Sequence, residues 1–205
     1  MEHRSINHYY RQAKFLISAA SIKQLPDGDS IEVAFVGRSN AGKSSAINVL
    51  CDNKGLAKIS RTPGRTRLIN LFSLDDKRKL VDLPGYGFAK VPLPIKQEWE
   101  RLMEQYLQQT HRLKGVVIIM DIRHPLKPFD THMLDWCQHF GLPTHILLTK
   151  ADKLKKGPQK STLLQTKKQL ENGGYTSSIQ TFSALNKTGL DELVGVMNTW
   201  LDLNE

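Results

Sequence analysis

Apolar residues along this chain fall into short, nearly unbroken runs, separated by longer stretches in which they recur at helical spacing. The runs at 31–36, 68–74, 78–83, 115–121, 144–149 and 178–182 are rich in Val, Ile, Leu and Phe and predict strands. Segments 43–51, 95–110, 129–140, 158–172 and 189–203 carry apolar positions three and four apart and predict helices. Asp75-Asp76-Lys77 joins the second and third strands, and so short a link cannot hold a helical crossover. That pair must be an antiparallel hairpin. Elsewhere β and α segments alternate. The pattern predicts an α/β fold: a six-stranded, mostly parallel sheet with one antiparallel strand, helices on both faces, and ligands at the C-terminal strand ends.

Residues 1–25 precede the first of these strands and end in the turn cluster Leu25-Pro26-Asp27-Gly28-Asp29. Apolar Tyr9, Tyr10, Phe15, Leu16 and Ile17 predict that this stretch packs on the core as an extension, with 26–205 as the domain proper.

Polar motifs sit at the predicted strand ends. The first strand runs into Gly37-Arg38-Ser39-Asn40-Ala41-Gly42-Lys43-Ser44, which fits G-x-x-x-x-G-K-[ST], and Ser44 to Leu50 follows as a helix. In that context the glycines let backbone N–H groups converge on phosphates at the positive end of a helix. Lys43 is expected to reach the β- and γ-phosphates and Ser44 to hold Mg²⁺. Asp82-Leu83-Pro84-Gly85 ends the third strand. There Asp82 would hold Mg²⁺ through water, and the Gly85 N–H would meet the γ-phosphate. Thr66, in Thr62-Pro63-Gly64-Arg65-Thr66, offers a second hydroxyl to the metal, and its aperiodic segment, about 52–67, reads as mobile.

Base choice is expected at Thr149-Lys150-Ala151-Asp152, where the Asp152 carboxylate can accept two N–H bonds from guanine that adenine cannot make. The Lys150 stem can lie along the base, and the Ala184 N–H, in Ser183-Ala184-Leu185, can bond the keto oxygen. Adenine would leave a buried carboxylate unpaired. The expected nucleotide is therefore GTP. Its expected contacts are Gly37 to Ser45, Gly64, Arg65, Thr66, Arg67, Leu68, Asp82, Leu83, Pro84, Gly85, Thr149, Lys150, Ala151, Asp152, Phe182, Ser183 and Ala184, with the metal on Ser44, Thr66 and Asp82. Within that set Lys43, Thr66 and Gly85 are the residues expected to act in catalysis.

Composition narrows the setting. The 205 residues are 40% apolar and 24% charged, as in a soluble globular domain. The longest apolar run, Val116 to Met120, is far too short to span a bilayer, and the N-terminus does not read as a signal peptide. Cys51 and Cys137 lack metal or redox spacing and read as buried thiols in a reducing cytoplasm. A net charge of +9 is unevenly spread: eight Lys/Arg against two Asp from Lys54 to Lys79, and six Lys against no acid from Lys153 to Lys168. Such clustering suits a polyanion, although no RNA-reading aromatic motif accompanies it. Asp121-Ile122-Arg123-His124 reads as a salt-bridged turn, and Trp99 and Tyr106 read as core packing. The remaining histidines show no metal-ligand spacing.

The wording of five motifs is narrower than the general pattern. Gly37 to Ser45, Thr62 to Thr66, Asp82-Leu83-Pro84-Gly85-Tyr86-Gly87, Met120-Asp121-Ile122-Arg123-His124-Pro125 and Thr149-Lys150-Ala151-Asp152-Lys153 together resemble the EngB (YihA/YsxC) family of bacterial GTPases. That family belongs to the TrmE-Era-EngA-EngB-septin-like superfamily, and the likeness runs from about Phe15 to Leu203. It implies a Ras-like G domain and a cytoplasmic GTPase needed for large ribosomal subunit assembly and for normal division and septation, while nothing in the sequence suggests a dimer and a monomer is the default expectation. A ribosomal RNA partner would account for the basic surface. Two alternatives stay open, a division-site scaffold and an RNA-remodelling NTPase. Thr149 stands where many GTPases have Asn, and Tyr86 where Ras-like enzymes place a water-orienting Gln. Intrinsic hydrolysis is therefore expected to be slow, on the order of 10⁻⁴ to 10⁻³ s⁻¹ or below, with a partner or a cation supplying the missing charge. Related GTPases with Asn at the Asn40 position hold K⁺ there, which makes potassium a candidate beside Mg²⁺.

Overall fold

The computed structural model describes residues 8–58, 68–86, 92–109 and 111–203. In chain order the elements are β1 (Lys14–Ala19), β2 (Ile31–Gly37), α1 (Lys43–Leu50), β3 (Ile69–Ser73), β4 (Arg78–Asp82), α2 (Leu93–Leu107), β5 (Leu113–Asp121), α3 (Pro128–His139), β6 (Thr144–Thr149), α4 (Lys156–Asn172), β7 (Ser178–Thr181) and α5 (Leu190–Trp200). They build one seven-stranded sheet in the order β1-β3-β4-β2-β5-β6-β7. β2 pairs in parallel with β4 and β5, and β5, β6 and β7 continue in parallel. β3 runs against both of its neighbours, β1 and β4. One antiparallel strand thus lies in an otherwise parallel sheet, as the hairpin link at 75–77 requires.

The expectation of six strands is corrected to seven. The added strand, β1, lies inside the stretch read as an N-terminal extension. Its apolar residues do not alternate, because the strand sits at the edge of the sheet, where Phe15 and Leu16 stay 56% and 44% exposed. Its register slips between Phe15 and Ile17 at a bulge, a device that bends edge strands away from further pairing. What makes it a strand is the free edge of β3, a partner far away in sequence.

The central strands explain the unbroken apolar runs. In β2, Val33 and Phe35 point to one face of the sheet and Ala34 and Val36 to the other. β5 does the same, with Val117 and Ile119 opposed to Val116, Ile118 and Met120. α1 and α5 cover the first face through Ile47, Leu50, Leu193 and Met197. α2, α3 and α4 cover the second through Met103, Tyr106, Leu134, Cys137 and Leu170. Tyr106 is therefore core, as expected.

Boundaries shift by a few residues where capping decides them. α2 begins at Leu93, with a proline in its first turn, and is closed by the Gln108 N–H on Glu104 O. α5 stops at Trp200 instead of 203. Both cysteines are free and buried, and burial pushes each thiol up to about 12, so neither is a ready nucleophile. Among the described residues no helix is long and apolar enough to cross a membrane.

Candidate functional site

The C-terminal ends of β2, β4, β5 and β6 bring most of the predicted residues into one neighbourhood. Gly37 closes β2 so near to β5 that an added Cβ would lie 2.6 Å from the Ile119 carbonyl oxygen. Beyond it, the Ser39 N–H donates to Tyr86 O (2.9 Å) and the Tyr86 N–H to Gly37 O (3.3 Å), so the glycine loop runs beside the chain that leaves β4. Asn40 (φ 62°) and Gly42 (φ 102°) take left-handed conformations that turn the loop back on itself. Lys43, Ser44 and Ser45 then form the first turn of α1, where unpaired N–H groups and the helix dipole favour an anion.

At that turn the Lys43 ammonium is paired with the Asp82 Oδ1 carboxylate oxygen, and both side chains are close to buried. The other oxygen, Oδ2, faces Asn70 Nδ2 at 3.4 Å. A carboxylate at the end of β4 and hydroxyls on the first turn of α1 are hard oxygen donors, the set Mg²⁺ takes beside phosphates. A buried acid already balanced by a cation is chemically suited to that ion. Gly85 lies against the loop, since an added Cβ would come within 3.4 Å of Gly37 O and 3.5 Å of the Ser39 N. Its neighbours are anchored on both sides. The Trp99 indole N–H donates to Pro84 O at 3.1 Å, and the Tyr86 hydroxyl donates to Asp130 Oδ1 at 2.8 Å.

Tyr86 is therefore a core residue, its ring packed with Trp99 and Phe129. Burial and the adjacent Asp130 push its phenol well above the ordinary range. Burial also raises the Asp130 carboxyl, against hydrogen bonds from Tyr86 and the Lys127 N–H. Trp99 belongs to the same aromatic cluster, which includes Trp136, so its packing role was legible, whereas its bond to Pro84 was not.

Gly64, Arg65, Thr66 and Arg67 lie outside the described residues, as does Gly87. Leu68 leads directly into β3. The head of the segment read as mobile is held firmly. Asn48 on α1 donates to the Lys54 and Ala57 carbonyls (3.1 and 3.0 Å) and accepts the Ala57 N–H at 2.7 Å. Sequence reasoning missed Asn48. A polar residue on the inner face of an otherwise apolar helix was the available signal.

The base-side residues assemble at the ends of β6 and β7. Thr149 is buried, and its hydroxyl reaches both the Ala41 carbonyl of the glycine loop and Met120 O on β5 (3.0 Å to the latter). The short side chain is thus itself a tether between the two loops. Lys150, held left-handed at φ 57°, sends its ammonium to Asn40 O at 2.6 Å and to Asp121 Oδ2 at 3.0 Å. Burial would raise the Asp121 carboxyl, but hydrogen bonds from Arg123 and Lys150 outweigh it and hold the group well below the usual carboxylate range. Asp121 and Arg123 do form the expected salt-bridged turn, with His124 exposed on it.

Asp152 accepts the Ser183 hydroxyl at 2.7 Å, and that bond, ahead of Lys153, lowers its pKa. Ser183 is fully buried and also accepts the Leu185 N–H at 3.2 Å. Phe182 is stitched to β6 by its N–H on Leu148 O (2.8 Å) and by the Ala151 N–H on its carbonyl (3.0 Å). The two motifs thus join through backbone and side chain, and Ala184 follows directly. Predicted residues from β2, β4 and β6 meet here, and His124 and the remaining described histidines contribute nothing. His145 lies at the opposite end of β6, bonded to Ser178 and Gln180. Among the described residues no group of three or more His, Cys, Asp and Glu could hold a metal.

Comparison with known proteins bears on the family and the fold. Residues 32–150 match the family described as 50S ribosome-binding GTPase. A probable GTP-binding protein engB has a similar structure, with a TM-score of 0.67 at 20% identity, covering 84% of this chain and 100% of that one. Era, solved in complex with MgGDPNP and nucleotides of 16S ribosomal RNA, matches with a TM-score of 0.64 at 22% identity over 85% of this chain and 57% of its own. The bacterial selenocysteine-specific elongation factor EF-Sec matches at 0.60 and 19% over 87% of this chain, which spans only 30% of that factor. At such identities these likenesses speak for the fold.

Proposed function

Because the chain belongs to the 50S ribosome-binding GTPase family, we propose that it is an EngB-type GTP-driven switch acting in assembly of the large ribosomal subunit. The observation that carries this reading is the joining of the glycine loop to Asp82 on one side and to the Asp152–Ser183 pair on the other, through Lys43 and Thr149. Lys43 binds the terminal phosphates, Gly85 donates its N–H to the γ-phosphate, and Asp152 selects guanine while Lys150 braces the loop through Asn40. Ser44 and Thr66, with Asp82 through water, would hold Mg²⁺, which when bound neutralises charge developing on the phosphates. GTP would then act on segments 52–67 and 84–95 beyond the points where Asn48 holds Ala57 and where Trp99 and Asp130 hold Pro84 and Tyr86, and hydrolysis would release them there.

Hydrolysis by the isolated chain is slow in this reading. Tyr86 is committed to Asp130 and the core, so it cannot orient water as a glutamine does. A partner, or K⁺ beside Asn40, supplies the missing charge; the signature of the ion is faster turnover in potassium than in matched sodium buffer. Ribosomal RNA is the partner that the net charge of +9 favours, and Era, a neighbour in fold, is itself seen with ribosomal RNA. The setting is cytoplasmic and the protein monomeric, with any effect on division and septation following from ribosome supply.

Co-sedimentation with purified small and large subunits, in a non-hydrolysable GTP analogue or GDP across a salt series, tests the switch. Binding to the large subunit with the GTP analogue alone is expected. Equal binding in both nucleotide states, lost steeply with salt, would reduce the interaction to nonspecific charge and point to a division-site scaffold.

A further inference from the structure

Asp82 ends β4 with a carboxylate whose final torsion is intrinsically broad and two-fold, so its partners set the direction of each oxygen. Lys43 takes Oδ1, leaving Oδ2 to Asn70. Asn70 stands directly opposite Asp82 in the β3–β4 register, and Ser18 stands directly opposite Asn70 in the β1–β3 register. Directly opposed residues share a face of the sheet, so the three side chains form one row from the outermost strand to the loop. Along it the Ser18 hydroxyl donates to Asn70 Oδ1 at 2.5 Å, and Asn70 Nδ2 donates toward Asp82 Oδ2 at 3.4 Å.

The row works in one direction only. With its amide reversed, Asn70 would aim a carbonyl at a carboxylate, two acceptors with no proton between them. The acceptor-only Asp82 carboxylate thus sets which end of the amide faces it, and the Ser18 hydroxyl, free to donate or accept, completes the row by donating to Oδ1. An asparagine also has poor strand propensity between Ile69 and Leu71, so its local cost is offset by what its side chain does.

We propose that Asn70 is a positioning residue for Asp82, and thereby for the Mg²⁺ ion, with its amide held in place by the Ser18 hydroxyl on the edge strand. This rests on the reading that Asp82 serves the metal. Groups that orient a metal-side carboxylate typically change metal affinity 10–100-fold when removed. β1 is then more than an appended edge, since it supports the far end of the row.

The test is the release rate of fluorescent GDP from the purified full chain as free Mg²⁺ is varied, with affinity in EDTA measured alongside. Wild type is expected to release more slowly as Mg²⁺ rises. Asn70→Ala is expected to move the half-point up about tenfold with EDTA affinity unchanged. Ser18→Ala is expected to move it about threefold, and Ser18→Thr, which keeps the hydroxyl, to restore it. Should Asn70→Ala fail to fold, the Ser18 pair on the exposed edge carries the same test. An unmoved half-point in the variants against a Mg²⁺-responsive wild type would overturn the proposal alone. So would an equal loss of affinity in EDTA, which marks a merely structural role. A wild type indifferent to Mg²⁺ would overturn the reading of Asp82 and the proposal together.

Discussion

Asp152, proposed to select the base, shows how partners fix the charge of a single residue. Its carboxylate is held ionised by the Ser183 hydroxyl at 2.7 Å, with Lys153 at 3.4 Å as a second partner. An ionised acceptor at that point matches the paired N–H donors of guanine, and a base lacking them leaves it unsatisfied. Asp152→Asn is expected to weaken GTP by about 100-fold or more and to shift preference toward xanthosine triphosphate. Competition binding with the two nucleotides measures this, and an unchanged GTP preference would remove Asp152 from base selection. At this scale most of the candidate site was legible, because Gly42, Lys43, Asp82 and Asp152 are residue types whose chemistry depends little on surroundings. Tyr86 was legible only as a missing glutamine. That its hydroxyl is spent on Asp130, 44 positions away, follows from packing that no local pattern records.

Among the elements, α1 does two things at once. Its first turn presents Lys43 and Ser44, and one turn later Asn48 pins the loop at 54–57 with three hydrogen bonds. The start of the segment that leads to Thr66 is thereby fixed to the helix that carries Lys43. Asn48→Ala would leave the buried Ala57 N–H without its acceptor, at a cost of about 1–3 kcal/mol. Faster amide exchange at Ala57 and a lower urea midpoint are expected; an unchanged exchange rate at Ala57 would show that the loop does not depend on Asn48. The central strands and the long helices were readable because burial on two faces, or on one stripe, repeats along the segment. β1 was not, because a bulged edge strand with exposed Phe15 and Leu16 has no repeating pattern to offer.

Over the whole molecule, the first and last described elements meet near the β3–β4 hairpin. The helical turn at 8–11 places Tyr10 fully in the core, with its hydroxyl on Asn198 of α5 at 2.7 Å. Tyr9 donates to Asp75 Oδ2 at 2.5 Å, and Arg78 reaches both Asp75 (3.1 Å) and the Leu201 carbonyl (2.5 Å). Tyr10→Ala is expected to cost about 3–5 kcal/mol, as large aromatic truncations in cores do, and Tyr10→Phe about 1 kcal/mol. Chemical denaturation checks both, and a small loss for Tyr10→Ala would make the N-terminal segment dispensable to the core. The sequence by itself determined the alternation of strands and helices, the hairpin at 75–77, the glycine loop and the base motif, because each depends on neighbours within a few residues. Only the tertiary structure decided that β1 completes the sheet, that Thr149 and Lys150 tie the base motif to the glycine loop, and that Ser18, Asn70 and Asp82 form one row. Those are pairings across strands, made by register and close packing between segments distant in the chain, and a linear pattern carries no information about which strand lies beside which.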